Sequence, residues 1–79
     1  MRVVKESTIN DIRITVFSWN NKYLVKYEQG FIEQTYKINE LDLENEEGLS
    51  AFFKDDFLKK IQEKMDEMHQ LRNNQLENC

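Results

Sequence analysis

The sequence predicts an α+β fold, an antiparallel meander sheet of three to four strands packed on one face by C-terminal helices. Three observations predict it. Short runs of alternating apolar and polar residues follow one another through the first half of the chain, and Asn or Gly residues separate them. In the second half, the apolar residues change to helical spacing. Because the chain has 79 residues and no proline, we expect a single domain over residues 1–79.

Two neighbouring runs predict a β-hairpin. Residues 11–19 and 22–29 each alternate apolar with polar side chains and are rich in β-branched and aromatic residues. Asn20-Asn21 lies between them, and asparagine tolerates the positive φ that a type I′ turn requires at both central positions. This turn predicts a register in which apolar residues and opposite charges meet. The expected pairs are Trp19 with Lys22, Phe17 with Leu24, Thr15 with Lys26, and Arg13 with Glu28.

Two further strands are predicted at the sides of this hairpin. Residues 31–38 form a third alternating run, and Gln29-Gly30 offers a second tight turn before it. Residues 2–6 predict a short edge strand, connected through residues 8–11. With the turn at Gln29-Gly30, the expected pairs are Tyr27 with Ile32, Tyr23 with Tyr36, and Lys26 with Glu33.

Two helices are predicted after Leu41. The first spans about residues 45–53, because Asn45 is a favourable N-cap and acidic residues follow it. The second spans about residues 55–72, and its apolar residues fall on one face: Phe57, Leu58, Ile61, Met65 and Met68. Residues 73–79 are expected to form a frayed tail.

The two faces of the predicted sheet differ in character. We expect the helices to cover the strongly apolar face, which gives a two-layer domain. Its residues are Ile12, Ile14, Val16, Tyr23, Val25, Tyr27, Ile32, Tyr36 and Ile38.

Charge and cysteine content restrict the class of protein. The net charge is −4, and residues 44–79 carry all of it because the basic and acidic residues before them balance. Cys79 is the single cysteine, so an internal disulfide is excluded, and a thiol at the end of the chain is expected to be incidental. High charge, no disulfide, no signal sequence and no long apolar segment predict a cytoplasmic protein that does not enter a membrane.

No motif for catalysis, a cofactor or a metal is present. His69 is the single histidine, and no spacing supplies it with an orienting partner, so we expect a helix-end side chain rather than a catalytic base. Acidic residues precede Gly48, but that glycine comes one position too late for a calcium loop. The sequence therefore predicts a protein that is not an enzyme and binds no cofactor or metal.

The second sheet face suggests a binding role. It carries an apolar surplus on Phe17, Trp19, Leu24 and Phe31, and such patches mark interaction sites. The leading hypothesis is therefore an interaction module, formed as a homodimer or with another protein. The alternative is single-stranded nucleic-acid binding, with aromatic residues stacking on bases and with Arg13, Lys22, Lys26 and Lys37 contacting phosphates. The net acidity, with Glu28 and Glu33 expected beside two of these cations, disfavours the alternative.

Strands followed by a helix, with an aromatic and basic sheet face, resemble the whirly and transcriptional-coactivator group of single-strand DNA-binding proteins. The resemblance covers the predicted strands, residues 3–38, and the long helix. It implies a four-stranded antiparallel sheet, a dimer, and single-strand DNA binding; it transfers no binding residue, because no motif of that group matches residue by residue. The runs TVFSWNNKYLVKYE and EQTYKI also resemble short uncharacterised bacterial proteins.

Overall fold

A computed structural model describes residues 1–43 and 46–77 of the chain, and it confirms the α+β fold class. Four antiparallel strands lie side by side in the order β1-β2-β3-β4. The predicted cap Asn45 and the terminal Cys79 lie outside the described residues. The elements are β1 (Arg2–Ile9), β2 (Ile12–Trp19), β3 (Lys22–Gln29), β4 (Ile32–Asn39), two 3₁₀ helices (Glu40–Asp42 and Glu46–Phe53) and α1 (Asp55–Glu77).

Two-residue turns join the first three strands. Asn10 and Asp11 have φ values of 51° and 66°, and Asn20 and Asn21 have values of 49° and 61°, as a type I′ turn requires. The predicted register between β2 and β3 is confirmed. Trp19 pairs with Lys22, Phe17 with Leu24, Thr15 with Lys26, and Arg13 with Glu28.

The predicted register between β3 and β4 is wrong by two residues. The turn is centred on Gly30 and Phe31, so Gln29 pairs with Ile32. Gly30 has a φ of 60°, and a type II′ turn takes glycine at its first central position. The observed partners are Gln34 for Tyr27 instead of Ile32, Ile38 for Tyr23 instead of Tyr36, and Thr35 for Lys26 instead of Glu33. Because side chains alternate with a period of two, every β4 residue keeps its predicted face.

β1 extends past its predicted end at residue 6 and pairs with β2 through a β-bulge. The register shifts between Val3 and Lys5, so Val4 is the extra residue, and it packs against the core. Beyond the bulge, Val3 lies opposite Phe17. An uninterrupted ladder would have turned Val3 toward the helices, so the bulge moves this side chain to the opposite face of the sheet.

The helices pack on the predicted apolar face. Burial is most complete on β2 and β3, the central strands, whereas Ile32 and Ile38 on the edge strand β4 are half-buried and Tyr36 is exposed. The buried apolar side chains are Ile12, Ile14, Val16, Tyr23, Val25, Tyr27, Leu49, Leu58, Ile61 and Met65.

The helix α1 lies along the sheet and reaches the turn between β3 and β4. Gln29 and Gln62 exchange two side-chain hydrogen bonds of 3.0 Å, and His69 lies beside Gly30. The 23 residues of α1 span about 34 Å, and the helix continues beyond its predicted end at residue 72. Residues 70–77 are exposed, so the last two turns of α1 bury no side chain against the sheet.

Candidate interaction surface

The sheet face opposite the helices is here called the open face, because the apolar residues of the second 3₁₀ helix and α1 pack on the other side. Residues that are paired across neighbouring strands lie side by side on this face. Its residues are Val3, Glu6, Thr8, Arg13, Thr15, Phe17, Trp19, Lys22, Leu24, Lys26, Glu28, Glu33, Thr35 and Lys37.

An apolar patch occupies one end of the open face. Phe17 lies directly opposite Leu24 on β3 and opposite Val3 on β1, and Trp19 is the next residue of β2 on the same face. Val3 and Trp19 are 53% and 50% exposed, respectively, whereas Phe17 and Leu24 are half-buried. We define the apolar patch as these four residues. The structure thus brings together three of the four side chains expected here.

Phe31, the fourth expected member, lies elsewhere. It belongs to the turn between β3 and β4, at the opposite end of β3 from the apolar patch. The residue is 85% exposed, and the guanidinium carbon of Arg72 lies 4.9 Å from the centroid of its ring. Phe31 therefore contacts α1 and contributes nothing to the patch.

Two of the four expected cations are paired with carboxylates of the open face. Arg13 Nε donates a hydrogen bond of 2.9 Å to Glu6, and this bond raises the pKa of the Arg13 guanidinium. Lys26 Nζ lies 3.3 Å from Glu28 and 3.5 Å from Glu33, and hydrogen bonding to Glu28, the larger effect, raises the pKa of the Lys26 amine. The acidic residues thus neutralise this half of the open face.

The other two expected cations flank the apolar patch. Lys22 lies opposite Trp19, and Lys37 lies opposite Leu24. Within the part of the chain that the structure describes, neither lysine has a carboxylate within ion-pair distance. The open face therefore has an apolar end with two cations that no described carboxylate pairs, and an opposite end of paired charges.

Val3 is the patch residue that sequence reasoning misses. Its placement depends on the bulge in β1, and an unbroken ladder from the turn at Asn10-Asp11 would assign it to the core face. No signal in the sequence marks this bulge, because Val4 and its neighbours fit either register.

The remaining candidate sites are separate from the open face. An open cavity of about 480 Å³ lies between the turn that joins β1 to β2 and the start of α1. His69 does not line this cavity; it is half-buried beside Gly30. Among residues 1–43 and 46–77, no three His, Cys, Asp or Glu side chains are placed to hold a metal, and no helix is long and apolar enough to cross a membrane. The cavity is lined by Asn10, Ile12, Asp55, Leu58, Lys59 and Gln62.

Comparisons with protein-family models, with curated proteins and with solved structures found no match to this chain.

Proposed function

We propose that the protein is a non-enzymatic interaction module, which binds a second copy of itself through the apolar patch. The observation that carries the proposal is the pairing of Phe17 with Leu24 beside the exposed Val3 and Trp19 on a face that the described helices leave open. Contiguous apolar surface of this kind marks interaction sites, and Trp is among the residues that dominate interface energies.

The position of the apolar patch on a sheet supports this proposal. Side chains on paired strands are held in place before binding, so little conformational entropy is lost when a partner covers them. Leu24 of the patch also precedes Lys26 on the same face of β3, and Lys26 is paired with Glu28; such charges can form a polar rim. A homodimer in the cytoplasm, the compartment expected from charge and cysteine content, is the form that we propose.

Single-stranded nucleic-acid binding is the second candidate. Lys22 and Lys37 favour it, because Lys22 lies opposite Trp19, Lys37 lies opposite Leu24 of the apolar patch, and neither is paired with a described carboxylate. Stacking on aromatic rings with cations along the backbone is the usual mode of such binding, and it agrees with the resemblance to the whirly group. The carboxylates beside Arg13 and Lys26, with the net charge of −4, place this function second.

Sedimentation equilibrium on the full chain tests self-association, over about 1 μM to about 500 μM. We expect a monomer–dimer equilibrium that Trp19→Ala weakens at least about tenfold, because an exposed aromatic anchor is lost. Phe31→Ala is the matched control, since it removes an exposed aromatic ring outside the apolar patch and should leave the equilibrium unchanged. A Trp19→Ala variant that associates as tightly as the parent chain contradicts the proposal.

Fluorescence of Trp19, the single tryptophan, tests the second candidate. If single-stranded oligonucleotides bind here, the emission changes on addition of oligonucleotide, and the change weakens with salt. Lys22→Gln with Lys37→Gln should abolish the response. Arg13→Gln with Lys26→Gln, at paired cations, should reduce it much less. An unchanged emission at low salt removes this candidate.

A further inference from the structure

The two edges of the sheet differ in regularity. The bulge between Val3 and Lys5 interrupts β1, and bulges at sheet edges hinder further strand pairing. β4 instead pairs with β3 over eight residues without a register shift, and it contains neither proline nor glycine. Among residues 1–43 and 46–77, no strand pairs with the outer side of β4. Such a straight open edge is a template for another strand.

The turn at Gly30 determines which backbone groups of β4 point outward. A β-turn joins the C=O of its first residue to the N–H of its fourth, so Gln29 and Ile32 form a hydrogen-bonded pair. Bonded and non-bonded pairs alternate along an antiparallel ladder. The N–H and C=O groups of Glu33, Thr35 and Lys37 are therefore directed away from β3.

We propose that β4 pairs antiparallel with β4 of a second copy, about a two-fold axis at Thr35. Two four-stranded sheets then become one continuous sheet of eight strands. The symmetric register places outward-directed residues opposite outward-directed residues, as an antiparallel ladder requires. Its pairs are Thr35 with Thr35, Glu33 with Lys37, Ile32 with Ile38, and Gln34 with Tyr36.

Charge complementarity selects this partner and this register. Glu33 and Lys37 are equally far from Thr35 along the strand, so two-fold pairing sets each opposite the other on the open face, where opposite charges stabilise a sheet. Lys37 thereby gains a carboxylate that the described residues of its own chain do not supply. A register shifted by four residues would place Glu33 opposite Glu33 or Lys37 opposite Lys37. A register shifted by two residues would leave Glu33 and Lys37 no longer opposite each other.

The apolar side of β4 agrees with the same register. Ile32 and Ile38 are half-buried at the edge of the core, and Tyr36 is 38% exposed. Pairing of the two strands sets the isoleucines opposite each other and covers apolar area that one chain leaves open to solvent. Cross-strand apolar pairs add to the backbone hydrogen bonds in stabilising the joined sheet.

This interface is separate from the apolar patch and does not depend on it. The two-fold axis stands perpendicular to the sheet, so the open faces of both copies point to the same side. A patch-to-patch contact and a β4-to-β4 contact are each isologous, and they use different residues. Variants in one interface therefore report on it without removing the other.

Sedimentation equilibrium of two proline variants of the full chain tests the proposal. Thr35→Pro removes an outward N–H at the centre of the new ladder, and edge strands accept proline at such positions. Thr8→Pro is the matched control, because Thr8 adjoins the hydrogen-bonded pair Ile9–Ile12 and directs its N–H away from β2. We expect Thr35→Pro to weaken this dimerisation at least about tenfold and Thr8→Pro to leave it unchanged.

Charge exchange provides an independent set of variants that leaves the backbone intact. Glu33→Lys or Lys37→Glu alone sets like charges opposite each other and should weaken the dimer. The double variant, Glu33→Lys with Lys37→Glu, restores opposite charges and should recover the parent affinity. If Thr35→Pro does not fold, as judged by circular dichroism, this set decides the question.

Several outcomes would overturn the proposal. They are a chain that stays monomeric over the whole concentration range, equal effects of the two proline variants, or a double charge variant no tighter than the single ones. Trp19→Ala separates the two interfaces: if it abolishes all association, the β4 dimer is excluded and patch-to-patch pairing alone remains.

Discussion

The Tyr27 hydroxyl donates a hydrogen bond of 2.7 Å to the backbone carbonyl oxygen of Phe52. Tyr27 is fully buried in the centre of the sheet, and Phe52 belongs to the second 3₁₀ helix, whose internal hydrogen bonds have poorer geometry than those of an α-helix. The Tyr27 ring also meets the rings of Tyr36 and Phe57 edge-on, each at a centroid distance of 6.0 Å. The Tyr27 side chain therefore links the sheet both to the second 3₁₀ helix and to α1.

Removing this hydroxyl should destabilise the fold. We expect Tyr27→Phe to lower the free energy of unfolding by about 1 to 3 kcal/mol, because the Phe52 carbonyl loses its donor inside the protein. Urea unfolding followed by circular dichroism measures the change. Tyr36→Phe is the control, since the Tyr36 hydroxyl donates to Gln34 in an exposed position, and its effect should stay within about 0.5 kcal/mol.

Burial also makes stability depend on alkaline pH through Tyr27. Burial, and to a lesser extent Tyr36, raises the pKa of the Tyr27 hydroxyl above its usual value, which is about 10. Below that value both states hold the proton, whereas above it the unfolded chain releases a proton that the folded protein retains. Stability should therefore fall as pH rises beyond about 10.

Comparison of variants tests whether Tyr27 causes this loss of stability at alkaline pH. Urea midpoints measured at about pH 8 and about pH 10.5 should differ less in Tyr27→Phe than in the parent chain. Tyr36→Phe should retain most of the parent slope. If Tyr27→Phe and the parent lose the same stability between these pH values, the assignment to Tyr27 is wrong.

Truncating side chains of α1 to alanine should cost much more stability at buried positions than at exposed ones. Met65 is fully buried against the sheet, so Met65→Ala leaves a cavity and should cost about 2 to 5 kcal/mol of unfolding free energy. Leu71, on the same helix, is 70% exposed, and Leu71→Ala should cost about 0.5 kcal/mol or less. Comparable losses in the two variants would show that the end of α1 is covered in solution, and thermal unfolding across protein concentrations would then identify the association.

The turn between β3 and β4 should reject a side chain at Gly30. Its φ of 60° disfavours L-residues, and a Cβ atom there would approach His69 Cε1 to 3.4 Å. We expect Gly30→Ala to lower the free energy of unfolding by about 1 to 2 kcal/mol. Asn21→Gly, at a positive φ that glycine also adopts, should change it by only a few tenths. Chemical denaturation compares the two, and similar losses would contradict this account.

Local turn chemistry explains which registers could be predicted. Asn20 and Asn21 are both suited to positive φ, so the turn position and the β2–β3 pairs follow from adjacent residues. Gly30 suits either central position of a turn; the predicted turn has it second and the observed turn has it first, which displaces the β4 pairs by two residues. The faces were still correct, because an even displacement preserves alternation. The core could therefore be predicted even where the pairing could not.

The composition of the apolar patch depends on features that local patterns do not encode. Val3 reaches the open face through a one-residue bulge. The bulge moves the Val3 side chain to the other face of the sheet, and the order of apolar and polar residues in β1 does not reveal it. Alternation alone places Phe31 in the patch, but the residue lies in the turn, where Arg72 of α1 contacts it. Both placements depend on tertiary packing, whereas Phe17 and Leu24 follow directly from the hairpin.

The meander connectivity has a consequence for the rate of folding. Every strand pairs with its neighbour in sequence, and each of the three turns contains two residues. Contacts between strands are therefore short in sequence separation, and low contact order is associated with fast folding. Isolated hairpins form within about 1 to 10 μs. The sheet should thus pair early, and docking of α1 across many intervening residues should set the slower step.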